Sequence, residues 1–202
     1  RPASERQESP ERAAANMRWC PETAIYSFVT ESYALIISRT DKADLWSPAV
    51  RTGESRKMVV ALAGRVALEP HQWDLGKASS SEGGLACRAI TEMYIRGGVS
   101  SLMTLSGNFS LIVIDDAADT CHLITDQAGL QMAYAGQSKT DSGALCSHPD
   151  VLASILNESQ AFDFESLAEF IASGQLSFPH TYYRGIKALA WGTIFSFIRQ
   201  RR

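Results

Sequence analysis

The chain has 202 residues, of which 45% are apolar and 20% are charged, and this is enough to bury one good core. Its formal net charge is -3, whereas proteins dedicated to binding nucleic acids usually carry a basic surface, so we expect no nucleic acid partner. No apolar run reaches the roughly 18 residues that a membrane-spanning helix needs. We therefore expect no membrane partner either.

The cysteines and histidines show no metal-ligand spacing. The cysteines are residues 20, 87, 121 and 146, without a C-x-x-C pair, and the histidines are residues 71, 122, 148 and 180. Scattered cysteines in a chain of this length indicate unpaired thiols in a reducing compartment, so we expect a cytoplasmic protein. The sequence predicts neither a metal site nor a bound cofactor in this chain.

Three segments follow from composition. Residues 1–18 begin with the polar stretch RPASERQESPERAAAN, which lacks large apolar groups, and we expect this segment to be disordered. The chain opens on Arg1, and a native start at Met17 or removal of a preceding segment would each account for that. Residues 19–198 are predicted to form one domain, and residues 199–202 a basic tail or the start of a linker.

The first half of the domain is predicted to be rich in strands. Residues 24–29 and 32–37 are β-branched and aromatic and predict a hairpin. Residues 45–57 are predicted to be a loop because they contain Pro48 and Gly53, and residues 58–63 a short buried strand that ends at Gly64. A Gly/Ser-rich stretch follows at residues 77–84.

The second half alternates helices with hairpins. Helices are predicted at residues 85–97, 149–156 and 163–172, with a short helical turn at 99–105. Strands are predicted at residues 111–114, 121–125, 143–147, 182–186 and 192–198. In the last helix Asp163 is a candidate cap, and Phe164, Leu167, Ala168 and Ile171 share one face. Hairpins with helices grouped between them indicate an α+β layered domain.

Several motifs occur in the order seen in one known family. They are Met93-Tyr94 followed by Gly97, LSGNFSLIVID at 105–115, LITDQAGLQMAY at 123–134, FESLAEFIASG at 164–174 and TYYRGIKALAWG at 181–192. From about Met58 to Phe197 the chain resembles the N-terminal glutaminase-like domain of asparagine synthetase, a class II glutamine amidotransferase domain. β-Lactam synthetase, carbapenam synthetase and the lasso-peptide cyclases are relatives. The resemblance implies a four-layer αββα sandwich of the N-terminal-nucleophile type.

The resemblance also implies a set of active-site residues, and several of them are missing from this chain. Active members carry an N-terminal Cys whose own α-amine is the base, an Arg for the glutamine carboxylate, an Asn-Gly pair for the oxyanion and an Asp for the substrate amine. The oxyanion pair falls here on Ala63-Gly64 and the Asp falls near Ala86. Arg51-Thr52-Gly53 is a poor match to the Arg motif.

Cys20 is the weak candidate for the nucleophile. Cleavage after Trp19 would give it a free α-amine, but Pro21 follows where the family has Gly-Ile. The alternative is a small apolar residue that leads into the first strand. We expect no catalytic residue in this chain unless processing exposes Cys20.

The resemblance places the missing chemistry on a partner. Asparagine synthetases continue into an ATP-pyrophosphatase domain, and its pyrophosphate loop does not occur between Arg1 and Arg202. We therefore expect a synthetase domain or subunit as partner, with ATP and Mg²⁺ bound there, and a homodimer is also open. The alternatives are an active glutaminase processed to Cys20 and a stand-alone binding or scaffold module.

Overall fold

The computed structural model describes residues 14–15, 17, 23–30, 33–39, 44–52, 57–137, 143–157 and 161–198. Most of the predicted disordered segment 1–18, Cys20 and the predicted tail 199–202 lie outside the described residues. No helix in the described ranges is long and apolar enough to cross a membrane.

The described chain contains strands in three sheets and helices between them. The strands are β1 (Ala24–Val29), β2 (Ala34–Arg39), β3 (Ala49–Thr52), β4 (Lys57–Ala67), β5 (Ser106–Asp115), β6 (Thr120–Thr125), β7 (Tyr134–Gln137), β8 (Gly143–Cys146), β9 (Ile186–Ala188) and β10 (Ile194–Ile198). The helices are α1 (Pro70–Ala78), α2 (Leu85–Gly97), α3 (Pro149–Ile155) and α4 (Phe164–Ser173), with 3-10 turns at Asp44–Trp46 and Val99–Thr104.

The core is organised around an antiparallel five-stranded sheet in the order β10-β6-β5-β4-β3. Successive side chains of a strand point to opposite faces. Met58 and Val60 of β4 therefore pack with Ile90 of α2 on one face. Val59 packs with Leu35 of the β1-β2 hairpin on the other. The sheet is thus covered by helices on one face and by the hairpin on the other.

A second, smaller core lies beside this sheet. Strands β8, β7 and β9 form a three-stranded antiparallel sheet in that order. Leu152 and Leu156 from the α3 region pack there with Tyr183 and Ile186. The mixture of helices and antiparallel sheets confirms the predicted α+β class. The full four-layer sandwich stays a prediction.

Several predicted elements are confirmed with small changes of boundary. The β1-β2 hairpin, helix α2 and the β5-β6 hairpin all form where the sequence places them. Asp163 caps α4, since its carboxylate accepts a hydrogen bond from the backbone N–H of Ser166 at 3.4 Å. The strand predicted at 182–186 instead forms at Ile186–Ala188.

In the first half one prediction is wrong and one element was missed. The predicted loop at 45–57 contains β3, whose four residues pair with β4 and complete the edge of the sheet. Helix α1 was not predicted, although Glu69 and Gln72 form a capping box and Pro70 occupies the first turn. Strand β3 is short and depends on pairing with β4, whereas α1 carries local start signals that the prediction overlooked.

The apolar face predicted for α4 is not a buried face. The side chains of Phe164 and Ile171 are 72% and 83% exposed, and the buried residue of this helix is Ser166. The predicted helix is confirmed, but the face that these residues share is not one that the described chain buries.

Strand β4 does not end at Gly64 but continues to Ala67, and Gly64 is the position that allows it. Gly64 has φ +90°, and an added Cβ would lie 2.1 Å from the carbonyl oxygen of Asn108 on β5. A side chain there would meet both a strained backbone and a fixed neighbour.

We expect Gly64→Ala to lower the free energy of unfolding by about 3 kcal/mol, because it combines a left-handed φ with a backbone clash. Urea denaturation followed by circular dichroism measures the change. Gly98→Ala is the matched control for φ alone, since Gly98 has φ +65° with nothing within 4 Å of an added Cβ. Equal losses in the two variants would contradict the clash.

Candidate functional site

The candidate site lies at the end of the five-stranded sheet where β4 becomes exposed. Val60, Ala61 and Leu62 are buried, but Ala63 and Gly64 are exposed to solvent. In the register of the β4-β5 ladder, Ala63 pairs with Ser110 and Gly64 pairs with Phe109. The segment that the resemblance aligns with the oxyanion pair is therefore at the surface, on a strand fixed by its neighbour.

The loop after β6 closes one side of this site, and the carboxylate of Asp126 organises that loop. Asp126 is buried, and its carboxylate accepts hydrogen bonds from the backbone N–H groups of Ala128 at 2.9 Å, Leu130 at 3.1 Å and Gln131 at 2.9 Å. A fourth hydrogen bond comes from the N–H of Phe109 at 3.3 Å. The loop is therefore tied to β5 next to Gly64.

These hydrogen bonds set the charge of the Asp126 carboxylate. Burial favours its neutral form, but the backbone N–H donors outweigh burial and hold the pKa of Asp126 below its ordinary value. The carboxylate is consequently ionised at neutral pH and acts as an acceptor. Four backbone N–H groups donate to the Asp126 carboxylate, so we interpret it as a structural acceptor of the loop and not as a substrate ligand.

The segment before β10 forms the outer wall of the same loop. The backbone N–H of Gly192 donates to the carbonyl oxygen of Asp126 at 2.8 Å, and Thr125 Oγ1 donates to the carbonyl oxygen of Ala190 at 2.8 Å. The Trp191 ring lies 5.6 Å from the ring of Phe178, measured between centroids. These contacts join the ends of β6, β9 and β10 beside the site.

The rim of the site is apolar and exposed. Leu130 is 66% exposed, Met132 51% and Trp191 58%. Large apolar side chains exposed together often mark a surface that contacts another molecule.

The β1-β2 hairpin directs its open end toward this part of the sheet. Its turn lies at the opposite end, because Tyr33 Oη donates to the carbonyl oxygen of Asp119 in the β5-β6 turn at 2.8 Å. At the open end, Ala24 pairs with Arg39, whose Nη1 donates to Ser47 Oγ at 3.3 Å. Cys20, the weak candidate for the nucleophile, precedes Ala24 but lies outside the described residues, so the structure does not place it.

The other residues aligned with the family's substrate groups are occupied or apolar. Arg51 Nη1 donates to Glu92 Oε1 of α2 at 2.8 Å, and Ser79 Oγ donates to the same oxygen at 2.7 Å. Ala86, near which the resemblance places an Asp, is fully buried in α2 and carries a methyl group. The structure therefore brings neither a free guanidinium from Arg51 nor a carboxylate at position 86 to Ala63.

Sequence reasoning missed a polar cluster on the helix side of the sheet. His122 Nδ1 lies 2.8 Å from Ser196 Oγ, and the His122 ring lies 5.9 Å from the Tyr94 ring between centroids. Burial lowers the pKa of His122, and the charge of Asp115 opposes this in part. No local sequence pattern predicts this cluster, because His122 and Ser196 are brought together by the register of β6 and β10.

The described thiols are not activated nucleophiles. Burial raises the pKa of Cys87 to about 12 and that of Cys121 to about 11, and burial also raises the pKa of Cys146. A thiolate is the reactive form of cysteine, so these pKa values keep all three thiols inert at neutral pH. Across the described segments, no three His, Cys, Asp or Glu side chains are grouped to hold a metal ion.

The second part of the chain matches a known protein family. Residues 77–202, more than half of the chain, match the family model described as "Glutamine amidotransferase domain". A search of curated proteins gave no match. The matched region contains the β5-β6 hairpin and the Asp126 loop, whereas Ala63 and Gly64 precede it.

We expect Asp126→Asn to lower the free energy of unfolding by about 3 kcal/mol at pH 7, because an amide supplies one acceptor oxygen and turns a donor toward the loop N–H groups. Thermal or urea denaturation measures the loss. Asp116→Asn, in the β5-β6 turn, is the matched control and should change stability little. An equal effect of the two substitutions would contradict the role of Asp126.

The pH dependence of stability provides the second readout for Asp126. Its pKa is lower in the folded chain than in the unfolded chain, so its stabilisation is complete above the unfolded value and is lost as the pH falls through the folded value. The wild-type chain should therefore lose more stability on acidification below about pH 4 than Asp126→Asn does. Parallel acid profiles for the two proteins would show that the carboxylate is not the titrating group.

Proposed function

The chain belongs to the glutamine amidotransferase domain family, and from that premise we propose that it is a non-catalytic glutaminase-like domain of an ATP-dependent amide-forming ligase. The observation that carries the proposal is the side chain at the exposed end of β4. Ala63 presents a methyl group where the resemblance implies an amide that stabilises the oxyanion. The peptide N–H of Gly64 is retained, but one of the two donors is gone.

The loss of that amide matters because glutamine hydrolysis passes through a tetrahedral oxyanion. In comparable sites, removal of one side-chain donor costs about 3 kcal/mol of transition-state stabilisation. The engagement of Arg51 with Glu92 and the methyl group of Ala86 add two further departures, since they leave no partner at these positions for the α-carboxylate or α-amine of glutamine. Together with Ala63, these departures favour a domain that supports chemistry done elsewhere.

We propose that the domain plays this supporting role through the exposed apolar rim of the site. We infer that Leu130, Met132 and Trp191 contact a synthetase domain or subunit, which would hold ATP and Mg²⁺ and form the amide bond with an amine of its own substrate. Their exposure supports this contact, because a rigid loop with an apolar rim suits a stable interface. The free Cys87, Cys121 and Cys146 support a reducing compartment, and we place the ligase in the cytoplasm.

The same premise extends to the architecture. We infer a four-layer αββα sandwich of the N-terminal-nucleophile type. Packing of α2 and of the β1-β2 hairpin on opposite faces of the five-stranded sheet supports part of this arrangement. The α3 helix on the small β8-β7-β9 sheet supplies a further sheet-and-helix pair.

We expect the purified chain to release no ammonia from glutamine above the level of the Cys20→Ala variant, and no labelling of Cys20 by an electrophilic glutamine analogue. A coupled ammonia assay and mass spectrometry of the labelled protein measure the two. If the wild-type chain releases ammonia, Cys20→Ala does not, and the mature N-terminus is Cys20, the protein is a processed, active glutaminase instead.

We expect the chain to co-purify from its source with a protein or domain that carries the pyrophosphate loop and releases pyrophosphate from ATP in the presence of the amide-forming substrates. A charge on the rim, Leu130→Asp, should reduce the recovered partner about tenfold. The matched control is Val29→Asp, at an exposed apolar residue of β1 at the end that carries the hairpin turn. Recovery of the chain without such a partner would favour a stand-alone binding or scaffold module.

A further inference from the structure

The two edge strands of the five-stranded sheet, β3 and β10, differ in whether another segment of the described chain pairs with them. At the β3 edge, the segment before α2 pairs with the strand: Val50 N–H donates to the carbonyl oxygen of Glu82 at 2.8 Å, and Glu82 N–H donates back at 2.9 Å. At the other edge, β10 pairs with β6 on its inner side, and no strand of the described chain pairs with its outer side. The described structure therefore covers one edge and leaves the other open.

The pairing pattern tells which backbone groups of β10 are directed outward. The N–H of Thr125 donates to the carbonyl oxygen of Thr193 at 3.1 Å, so Thr193 is directed toward β6. Hydrogen-bonding direction alternates along an antiparallel strand. Ile194, Ser196 and Ile198 therefore direct their backbone N–H and carbonyl groups away from the sheet.

The residues of this edge strand read Ile194-Phe195-Ser196-Phe197-Ile198, which is the same sequence in both directions. We propose that β10 pairs antiparallel with β10 of a second copy of this chain, with the two-fold axis at Ser196. In that register Ser196 faces Ser196, Phe195 faces Phe197 and Ile194 faces Ile198. The outward groups of Ser196 form a hydrogen-bonded pair, and two five-stranded sheets join into one.

The chemistry of β10 suits pairing with itself. It contains no charged residue and no Pro, the residues that proteins use to protect open edges. Ile198 is 66% exposed and Phe197 is 38% exposed, so pairing would cover apolar surface. Aromatic and β-branched side chains are also those that stabilise cross-strand pairs.

Ser196 at the axis is already satisfied within its own subunit. Its Oγ lies 2.8 Å from Nδ1 of His122, the buried residue that faces it on β6. Two such serines can meet at a two-fold axis without leaving a hydroxyl unpaired. The pairing is independent of whether the domain hydrolyses glutamine.

We expect the full chain to sediment as a concentration-dependent dimer. Ile198→Lys should weaken the dimer by at least about tenfold in dissociation constant, because it places a charge on the paired edge. Ile171→Lys is the matched control, the same substitution at the 83% exposed residue of α4, and should leave the dimer unchanged. A monomer at every concentration, or equal weakening by both substitutions, would overturn the proposal.

A cross-link tests the position of the axis. Facing residues of a hydrogen-bonded antiparallel pair have Cα atoms about 5.5 Å apart, which is within disulfide range. Under mild oxidation Ser196→Cys should give a dimer that dithiothreitol reverses, whereas the wild-type chain and Ile171→Cys should not. Cross-linking through Ile171→Cys but not through Ser196→Cys would place the contact on α4 and overturn the proposed register.

Discussion

Everything in the larger core depends on the ladder between β4 and β5, which pairs Met58 with Asp115 at one end and Ala67 with Ser106 at the other. Along most of its length both faces of this pair are buried, so neither strand can slip by one residue without exchanging its two faces. The helices and the hairpin each dock against a face that this register has already defined. The candidate site begins where the double burial ends, at Ala63.

The Asp126 loop extends this constraint to the site. A carboxylate that accepts backbone hydrogen bonds from its own loop and from Phe109 fixes that loop to β5 rather than only to itself. Gly192 then joins the segment before β10 to Asp126 through a further backbone hydrogen bond. The rim that carries Leu130 and Trp191 is consequently held in place although it is exposed. Such a surface can meet a partner with little loss of conformational entropy.

The success of sequence reasoning follows the strength of local patterns. Helix α2 and the β5-β6 hairpin have strong periodicity and clear ends, and both form where expected. Strand β3 is short and depends on pairing with β4, so its sequence resembles a loop, whereas the start signals of α1 were present but were not used. The exposed face of α4 shows another limit, because a period identifies which residues share a face but not what covers it. The His122–Ser196 contact was invisible for a related reason, since it joins residues 74 positions apart in the sequence.

The site separates the requirements of folding from those of chemistry. Gly64 allows the close approach of β4 and β5, and Asp126 holds the loop after β6. Both residues therefore have a structural role whether or not glutamine is bound. The amide that the resemblance implies at position 63 has no such structural task, because Ala63 pairs with Ser110 through its backbone. Under the proposed function, the fold therefore keeps its shape without the glutaminase reaction. Position 63 differs in this respect from Arg51, which is bound to Glu92, and from Ala86, which is buried in α2.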